Sequence, residues 1–197
     1  MTSCDILIVG VGGQGVVTLG DLLAKAALEA GVSVSVVPSK GMAQRGGFVK
    51  TEIRLGHRVA GARIGPHAAH IVASMERAEL LKAAPFVRPG GDVVLYDHVW
   101  EPTRVLLGEQ TYPSLDDVRT ASAGEAGRWI ALRPDELPTI DGRALPGNIV
   151  LLGALFSSRL LSSLLPEERM EATLVARWPQ AAQRNRLAFR EGRERGA

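Results

Sequence analysis

The sequence predicts a three-layer, Rossmann-like α/β domain with a mostly parallel sheet, a β-hairpin excursion and a helical C-terminus. Two observations support this prediction. Short β-branched runs alternate with amphipathic helical segments along the first part of the chain, an order that is typical of parallel sheets. The last part of the chain, from Asn148, is typical of a succession of helical segments. We expect residues 1–197, of which 46% are hydrophobic, to form one domain with a sizeable core.

The chain opens with a predicted strand–helix–strand unit. CDILIVG, from Cys4, is typical of a buried strand, and GQGVVTLGDLLAKAALEAG has a helical apolar spacing that ends at Gly31. VSVSVV then alternates like a second strand and is followed by Pro38. A strand, a helix and a strand in this order form the unit from which parallel sheets are built.

The rest of the chain supplies further strands and then helices. FVKTEIRLG is predicted to pair as a hairpin with HRVAGARI across Gly56. Predicted strands also cover HIVASM, PGGDVVLYD and RWIALRP, and predicted helices cover ERAELLKAAPFV, NIVLLGALFSSRLL, PEERMEATLVARW and AQRNRLAFREGRER. We expect the charged residues at the end of the last helix to fray.

Composition excludes several classes of function. Cys4 is the only cysteine, so the chain cannot form an internal disulfide or ligate an iron–sulfur cluster by itself. The 23 basic and 21 acidic residues nearly balance, so we expect no nucleic-acid partner. No signal-like leader and no membrane-length apolar run is present, and we expect a cytoplasmic protein without a membrane partner.

A glycine-rich turn follows the first predicted strand. Gly10, Gly12 and Gly15 have the G-x-G-x-x-G spacing, which lets the backbone approach an anion at a helix N-terminus. The same spacing also suits a tight turn without a ligand. NAD would require an acid at the end of the second strand, where Ser39 and Lys40 stand instead. Those two residues suit a 2′-phosphate, so NADP stays open and NAD is disfavoured.

A second glycine-rich stretch, KGMAQRGG, follows the second predicted strand. Gly41, Gly46 and Gly47 surround Arg45, which places a guanidinium on a backbone that can approach a partner closely. In a parallel sheet both glycine-rich loops emerge at the carboxyl edge, where ligands of open α/β sheets bind. A solvated loop arginine is the alternative interpretation.

Taken together, GVGGQGVVTLGDLLAKAALEAG, GMAQRGGFVKTEIRLG and NIVLLGAL resemble the gamma domain of 2-oxoacid:ferredoxin oxidoreductases. The GMAQRGG form is similar in particular to the free-standing small (beta) subunit of indolepyruvate:ferredoxin oxidoreductase. The resemblance runs from about Asp5 to RNRLAF near the end of the chain. It is the two loops in this order that make it specific.

The resemblance implies a subunit that is inactive alone. The large partner subunit would carry thiamine diphosphate, Mg²⁺ and [4Fe–4S] clusters, and would oxidatively decarboxylate an aryl-2-oxoacid. Electrons would pass to ferredoxin, and the acyl group would leave as a coenzyme A thioester. Coenzyme A is the one ligand that the resemblance associates with this chain, which is expected to hold no cofactor by itself. VPSK ahead of Gly41 departs from indolepyruvate-type chains, so phenylpyruvate and phenylglyoxylate remain alternative substrates.

The resemblance also implies which residues form the ligand or interface site, and it implies no catalytic residue and no metal ligand in this chain. The first loop would contribute Gly12, Gly13, Gln14 and Gly15, the second Gly41, Gln44, Arg45, Gly46 and Gly47, and the later helix Asn148. From its position at the head of NIVLLGAL, Asn148 is also predicted to be a helix N-cap.

Two further interpretations stay open. One is a free-standing NADP-binding oxidoreductase, and the other is a non-catalytic nucleotide-binding protein. The four histidines lack the clustered spacing of a metal site, and no G-x-S-x-G nucleophile motif is present. Asp97, at the end of a predicted strand, is interpreted as a turn or cap residue.

Overall fold

A six-stranded sheet forms the centre of the molecule, with strand order β2-β3-β1-β4-β5-β6. The computed structural model describes residues 2–40, 46–56, 61, 63–124 and 126–197. The strands of the sheet are β1 (Ser3–Val11), β2 (Val34–Lys40), β3 (Phe48–Gly56), β4 (Ala69–Ser74), β5 (Val87–Tyr96) and β6 (Ala126–Leu132). A separate two-stranded hairpin comprises β7 (Thr139–Ile140) and β8 (Arg143–Ala144).

Helices cover both faces of the sheet, and four of the eight α-helices in the described part of the chain follow β6. They are α1 (Val16–Glu29), α2 (Arg77–Ala83), α3 (Thr103–Leu106), α4 (Leu115–Ala123), α5 (Gly147–Leu155), α6 (Arg159–Leu164), α7 (Glu167–Arg177) and α8 (Ala182–Arg195). The predicted helix over NIVLLGALFSSRLL is two helices, because the chain turns at Phe156 and Ser157, and Ser158 is then the N-cap of α6.

The mostly parallel character of the sheet is confirmed. β1 pairs in parallel with β4, β4 with β5, and β5 with β6. β3 is the exception, since it runs antiparallel to both of its neighbours, β1 and β2. The predicted succession of β1, α1 and β2 in the sequence is therefore confirmed. In the sheet, however, β3 separates β2 from β1, and β2 forms an edge. That edge position tolerates Pro38, which has no N–H to donate.

The hairpins are not where the sequence predicts one. β3 was expected to pair with HRVAGARI, but both of its edges are occupied, by β1 over residues 48–56 and by β2 over residues 49–55. Residues 57–60 and 62 lie outside the described part of the chain. The hairpins are instead β2–β3, whose connection is the second glycine-rich loop, and the short β7–β8 pair.

Three layers follow from the alternation of side chains along β1. Cys4, Ile6 and Ile8 point into a core shared with α1, α5, α7 and α8, whereas Leu7 and Val9 point into a second core under α2 and α4. All five side chains are buried, as is typical of a strand covered by helices on both faces. The expected three-layer α/β architecture is thereby confirmed.

The C-terminal helix is packed rather than frayed. α5 is apolar on every side, and its residues 149–155 are all buried, because the sheet lies on one side of it and α8 on another. Gly153 of α5 and Gly192 of α8 face the other helix: a Cβ on Gly153 would overlap the carbonyl oxygen of Phe189, and a Cβ on Gly192 that of Val150. The expectation of a frayed end is wrong at Gly192, since the glycine pair holds this turn of α8 against the core.

Candidate functional site

The first glycine-rich loop turns from β1 into α1 at the carboxyl edge of the sheet. Gly13 and Gly15 have φ values of 102° and 85°, in the left-handed region that favours glycine. The backbone N–H of Gly12 donates to the carbonyl of Gly47 over 2.9 Å. The two loops that the sequence singles out are thus hydrogen-bonded to each other.

Gln14 organises the first loop with one end of its side chain. The Oε1 atom accepts the backbone N–H of Val11 at 2.8 Å, while Nε2 lies 3.4 Å from Nδ1 of His98. Its carbonyl end is therefore used inside the loop, and the amide end contacts a histidine that follows β5.

Two helix N-termini meet beside this loop. α1 begins at Val16 and α5 at Gly147, and neither has a side-chain cap or an acidic residue in its first turn. A Cβ on Gly15 would lie 2.5 Å from Nδ2 of Asn148, so the two helix starts are in close contact. The N–H groups of the two first turns and the positive ends of two helix dipoles make this corner favourable for an anion.

Asn148 is not the N-cap of α5, because the helix begins one residue earlier and Pro146 occupies the cap position. Its Oδ1 instead accepts the adjacent backbone N–H of Ile149 at 3.0 Å. That contact leaves the Nδ2 end of Asn148 facing Gly15.

The second loop is described only at its end. Gly46 and Gly47 lead into β3, and Gly46 has a φ of 76° with an exposed surface. A Cβ on Gly46 would lie 3.8 Å from Nε1 of Trp100. Gly41, Gln44 and Arg45 lie outside the described residues, so their part in the site stays a prediction.

A buried carboxylate that the sequence analysis missed lies behind this edge. Glu76, 1% exposed, follows β4 and accepts the N–H of Glu79 at 2.8 Å as the N-cap of α2. Its other oxygen accepts the N–H of Trp100 at 3.2 Å and the phenol O–H of Tyr112. Burial and then the hydrogen bond to this carboxylate raise the pKa of Tyr112, which keeps its proton and donates at neutral pH.

An ion pair joins the first residue of α2 to the residue that follows β5. Arg77 binds Asp97 through both oxygens, at 2.6 and 2.9 Å, and the backbone N–H of Arg77 donates to the carbonyl of His98. Asp97 was interpreted as a turn or cap residue, and the structure shows it as half of this bidentate pair. The position of Asp97 directly after β5, at the carboxyl edge of the sheet, was a signal that could have pointed to this pair.

The described residues at this edge do not form a metal site. Across the described residues, no three His, Cys, Asp or Glu side chains gather as a metal site. Cys4 lies at the far end of β1, fully buried, and burial raises the pKa of its thiol to about 12. A thiol that stays protonated in the core is unsuited to ligating a cluster.

No helix in the described part of the chain is long and apolar enough to cross a membrane.

The strand order argues against a dinucleotide site of the usual kind. Such a site needs the end of the second strand directly beside the first glycine loop. Here β3 lies between β1 and β2, which places the strand that carries Ser39 about 10 Å from β1 instead of about 5 Å. The Oγ atom of Ser39 accepts a hydrogen bond from Arg63. The NADP alternative is therefore disfavoured.

Comparison with known proteins gives the family. The family model described as "Pyruvate ferredoxin/flavodoxin oxidoreductase" matches residues 5–195. The Indolepyruvate oxidoreductase subunit IorB of Thermococcus kodakarensis is 34% identical over 194 residues, which cover 98% of this chain and 95% of that protein. The chain belongs to the pyruvate ferredoxin/flavodoxin oxidoreductase family. It is a small-subunit member of the 2-oxoacid:ferredoxin oxidoreductases, as the resemblance implied.

Solved structures share the fold. The pyruvate oxidoreductase subunit PORC of Thermotoga maritima superposes with a TM-score of 0.72 at 21% identity, covering 99% of this chain and 97% of that one. The 2-oxoglutarate:ferredoxin oxidoreductase of Magnetococcus marinus, solved with 2-oxoglutarate, coenzyme A and succinyl-CoA bound, gives a TM-score of 0.68 at 16% identity. The match covers all of this chain but only 31% of the Magnetococcus chain.

Proposed function

We propose that this chain is the small subunit of a thiamine-dependent oxidoreductase that converts indolepyruvate or a related aryl-2-oxoacid to its acyl-CoA. The large subunit carries thiamine diphosphate, Mg²⁺ and the [4Fe–4S] clusters, and electrons leave to ferredoxin. This chain is inactive alone and completes the site at the contact between subunits. The name of the Thermococcus relative supports the choice of indolepyruvate.

The observation that carries this proposal is the hydrogen bond between Gly12 and Gly47. It joins two glycine-rich loops into one surface at the carboxyl edge of the sheet. Beside that surface the described residues include no metal cluster, and the nearby Glu76, Arg77 and Asp97 are already paired within the chain. A surface of glycine backbone beside which the described Glu76 and Asp97 carboxylates are already paired suits a binding subunit better than a catalytic one.

Coenzyme A fits the corner where α1 and α5 begin. Its diphosphate would lie against the free N–H groups of both helix starts, with the Nδ2 atom of Asn148 as an added donor. No acidic residue occupies either first turn to oppose it. When bound, coenzyme A supplies the thiol that takes the acyl group. We propose that Arg45, at the end of the second loop, faces the partner's active site.

The proposal is tested by purifying the tagged chain gently and without oxygen from its native cell. We expect a large chain with brown iron–sulfur absorbance to co-purify, since Cys4 alone cannot hold a cluster. The complex should reduce a dye with indolepyruvate, phenylpyruvate or phenylglyoxylate, and the ratio of the three rates identifies the substrate. Omitting coenzyme A should stop turnover, and the isolated small chain should be inactive.

A colourless protein that purifies alone and binds NADPH would overturn this proposal and support the free-standing oxidoreductase. A lone protein that binds a nucleotide but shows no activity with any partner would instead support the non-catalytic alternative.

A further inference from the structure

An exposed segment leaves the carboxyl edge of the sheet after β5. Residues 99–111, which we name the β5–α4 arm, are exposed at every position except the half-buried Val105. α3 lies within the arm, and its end presents Leu106 and Leu107 to solvent at 69% and 67% exposure, with Trp100 at 49%. Single exposed leucines are common, but three large apolar side chains within eight residues form the kind of patch that marks a protein contact.

The arm is held at both ends by one buried carboxylate. Glu76 accepts the backbone N–H of Trp100 at the start of the arm and the phenol O–H of Tyr112 just after its end. Arg77 adds a second attachment through its N–H to the carbonyl of His98. The arm is thus a fixed projection, and a projection ordered before binding loses less entropy when it docks.

The arm is continuous with the glycine-rich surface. Trp100 lies beside Gly46 of the second loop, His98 contacts Gln14 of the first, and the His98 and Trp100 rings stack at 6.5 Å. This is the surface that the proposed function assigns to the subunit contact. The fold of this chain makes up 31% of the Magnetococcus chain, so there the domain is joined to further polypeptide. In a free-standing small subunit that polypeptide has to be another chain.

We propose that the β5–α4 arm docks into an apolar groove of the large, thiamine-bearing subunit, with Leu106 and Leu107 as the anchoring side chains. The inference rests on the proposed function, which supplies that subunit. A second copy of this chain is the rival occupant, and the test below distinguishes the two. The arm is continuous with the surface that the proposed function assigns to the large subunit, which favours that partner.

The test is co-expression of the tagged chain with the large subunit, followed by measurement of how much large subunit co-purifies. The variant is the double substitution Leu106→Asp with Leu107→Asp. Burying two unpaired carboxylates in an apolar groove should lower the recovered large subunit on the order of tenfold or more. The melting temperature of the isolated chain should stay unchanged, because both side chains are solvent-exposed without the partner.

Leu28→Asp is the matched control, since Leu28 is 68% exposed and lies near the end of α1 at the opposite edge of the sheet. It should co-purify the large subunit like the unmodified chain. Recovery of the double variant at the unmodified level would overturn the docking arm while leaving the proposed function intact. If the unmodified chain fails to bind the large subunit, the proposed function fails and the inference with it. A homodimer that the double variant abolishes would also overturn the inference, in favour of a second copy.

Discussion

Gly15 and Asn148 are in contact where α1 and α5 begin, although 133 residues separate them in the chain. Gly15 adopts a φ of 85°, which turns the chain into α1 and leaves room for the amide of Asn148. Glycine is thus required at position 15 for two reasons: the backbone turn needs a positive φ, and the amide of Asn148 needs the space of a side chain.

Substituting Gly13 and Gly15 by alanine separates these roles. Both have positive φ, so each variant should lose about 1–2 kcal/mol of unfolding free energy. Nothing lies within 4 Å of a Cβ at Gly13, whereas one at Gly15 would displace Asn148. In the assembled complex, Gly15→Ala should therefore raise the KM for coenzyme A by about tenfold, and Gly13→Ala by much less. Urea unfolding and steady-state kinetics check this, and equal KM values would contradict the role given to Asn148.

Glycine at position 153 is required by helix packing. Gly153→Ala would drive a methyl group into the backbone of α8 at Phe189, where neither helix can move aside without disturbing the core. We expect a loss of about 3 kcal/mol in thermal or urea unfolding. Gly124→Ala is the control, since Gly124 has helical φ and open space around it. It should be neutral or stabilise the protein by up to about 1 kcal/mol, and similar losses in both variants would argue against the close helix contact.

Glu76 is predicted to keep the β5–α4 arm ordered. Glu76→Gln replaces one acceptor oxygen by an NH₂ group that faces a donor, so the arm should lose an attachment at Trp100 or Tyr112. The cost should be about 1–3 kcal/mol, and trypsin should cleave faster after the exposed Arg104. Glu79→Gln, which removes a pair with the exposed Lys82, should cost under about 0.5 kcal/mol and leave cleavage unchanged. Unchanged cleavage in Glu76→Gln would show that the arm is ordered by other contacts.

His70 makes stability depend on pH. Its Nδ1 accepts the backbone N–H of Asp5 at 3.0 Å, which requires the unprotonated nitrogen. Burial first, and then the charge of Arg88, lower the pKa of His70 below its usual 6.5. The folded state therefore favours neutral histidine, so this stability is present above pH 6.5 and is lost as the pH falls through the folded-state pKa.

His70→Asn provides the test, because its Oδ1 can accept the same hydrogen bond without titrating. Urea unfolding between pH 7.5 and 4.5 should show a smaller loss of stability in this variant than in the unmodified chain over the range just below 6.5. An identical pH profile for the two proteins would assign the dependence to other groups.

Local patterns predicted much of the secondary structure and one part of the site. The glycine loop from Gly10 to Gly15, β1, α1 and the later helices depend on spacing within a few residues, which the sequence displays directly. The pairing of β3 could not be predicted in this way. FVKTEIRLG alternates like any strand, and nothing in that alternation distinguishes HRVAGARI from β1 as its neighbour.

The sequence analysis missed the β5–α4 arm and its attachment to Glu76 for the same reason. Trp100 and Tyr112 lie 24 and 36 residues after Glu76 in the chain. A lone glutamate before a helix predicts only a cap. Its second oxygen finds its partners because β4 and β5 are neighbours in the sheet.

By itself, the sequence determined the alternation of strands and helices, the glycine-rich turn between β1 and α1, and a chain with too few cysteines to hold a cluster. These depend on neighbouring residues or on composition alone. Only the tertiary structure decided that β3 separates β1 from β2, that α5 and α8 meet at Gly153 and Gly192, and that Glu76 anchors an exposed apolar arm. Each of these depends on which distant segments pack together. Because packing energy is shared among many side chains, no single stretch of the sequence predicts it.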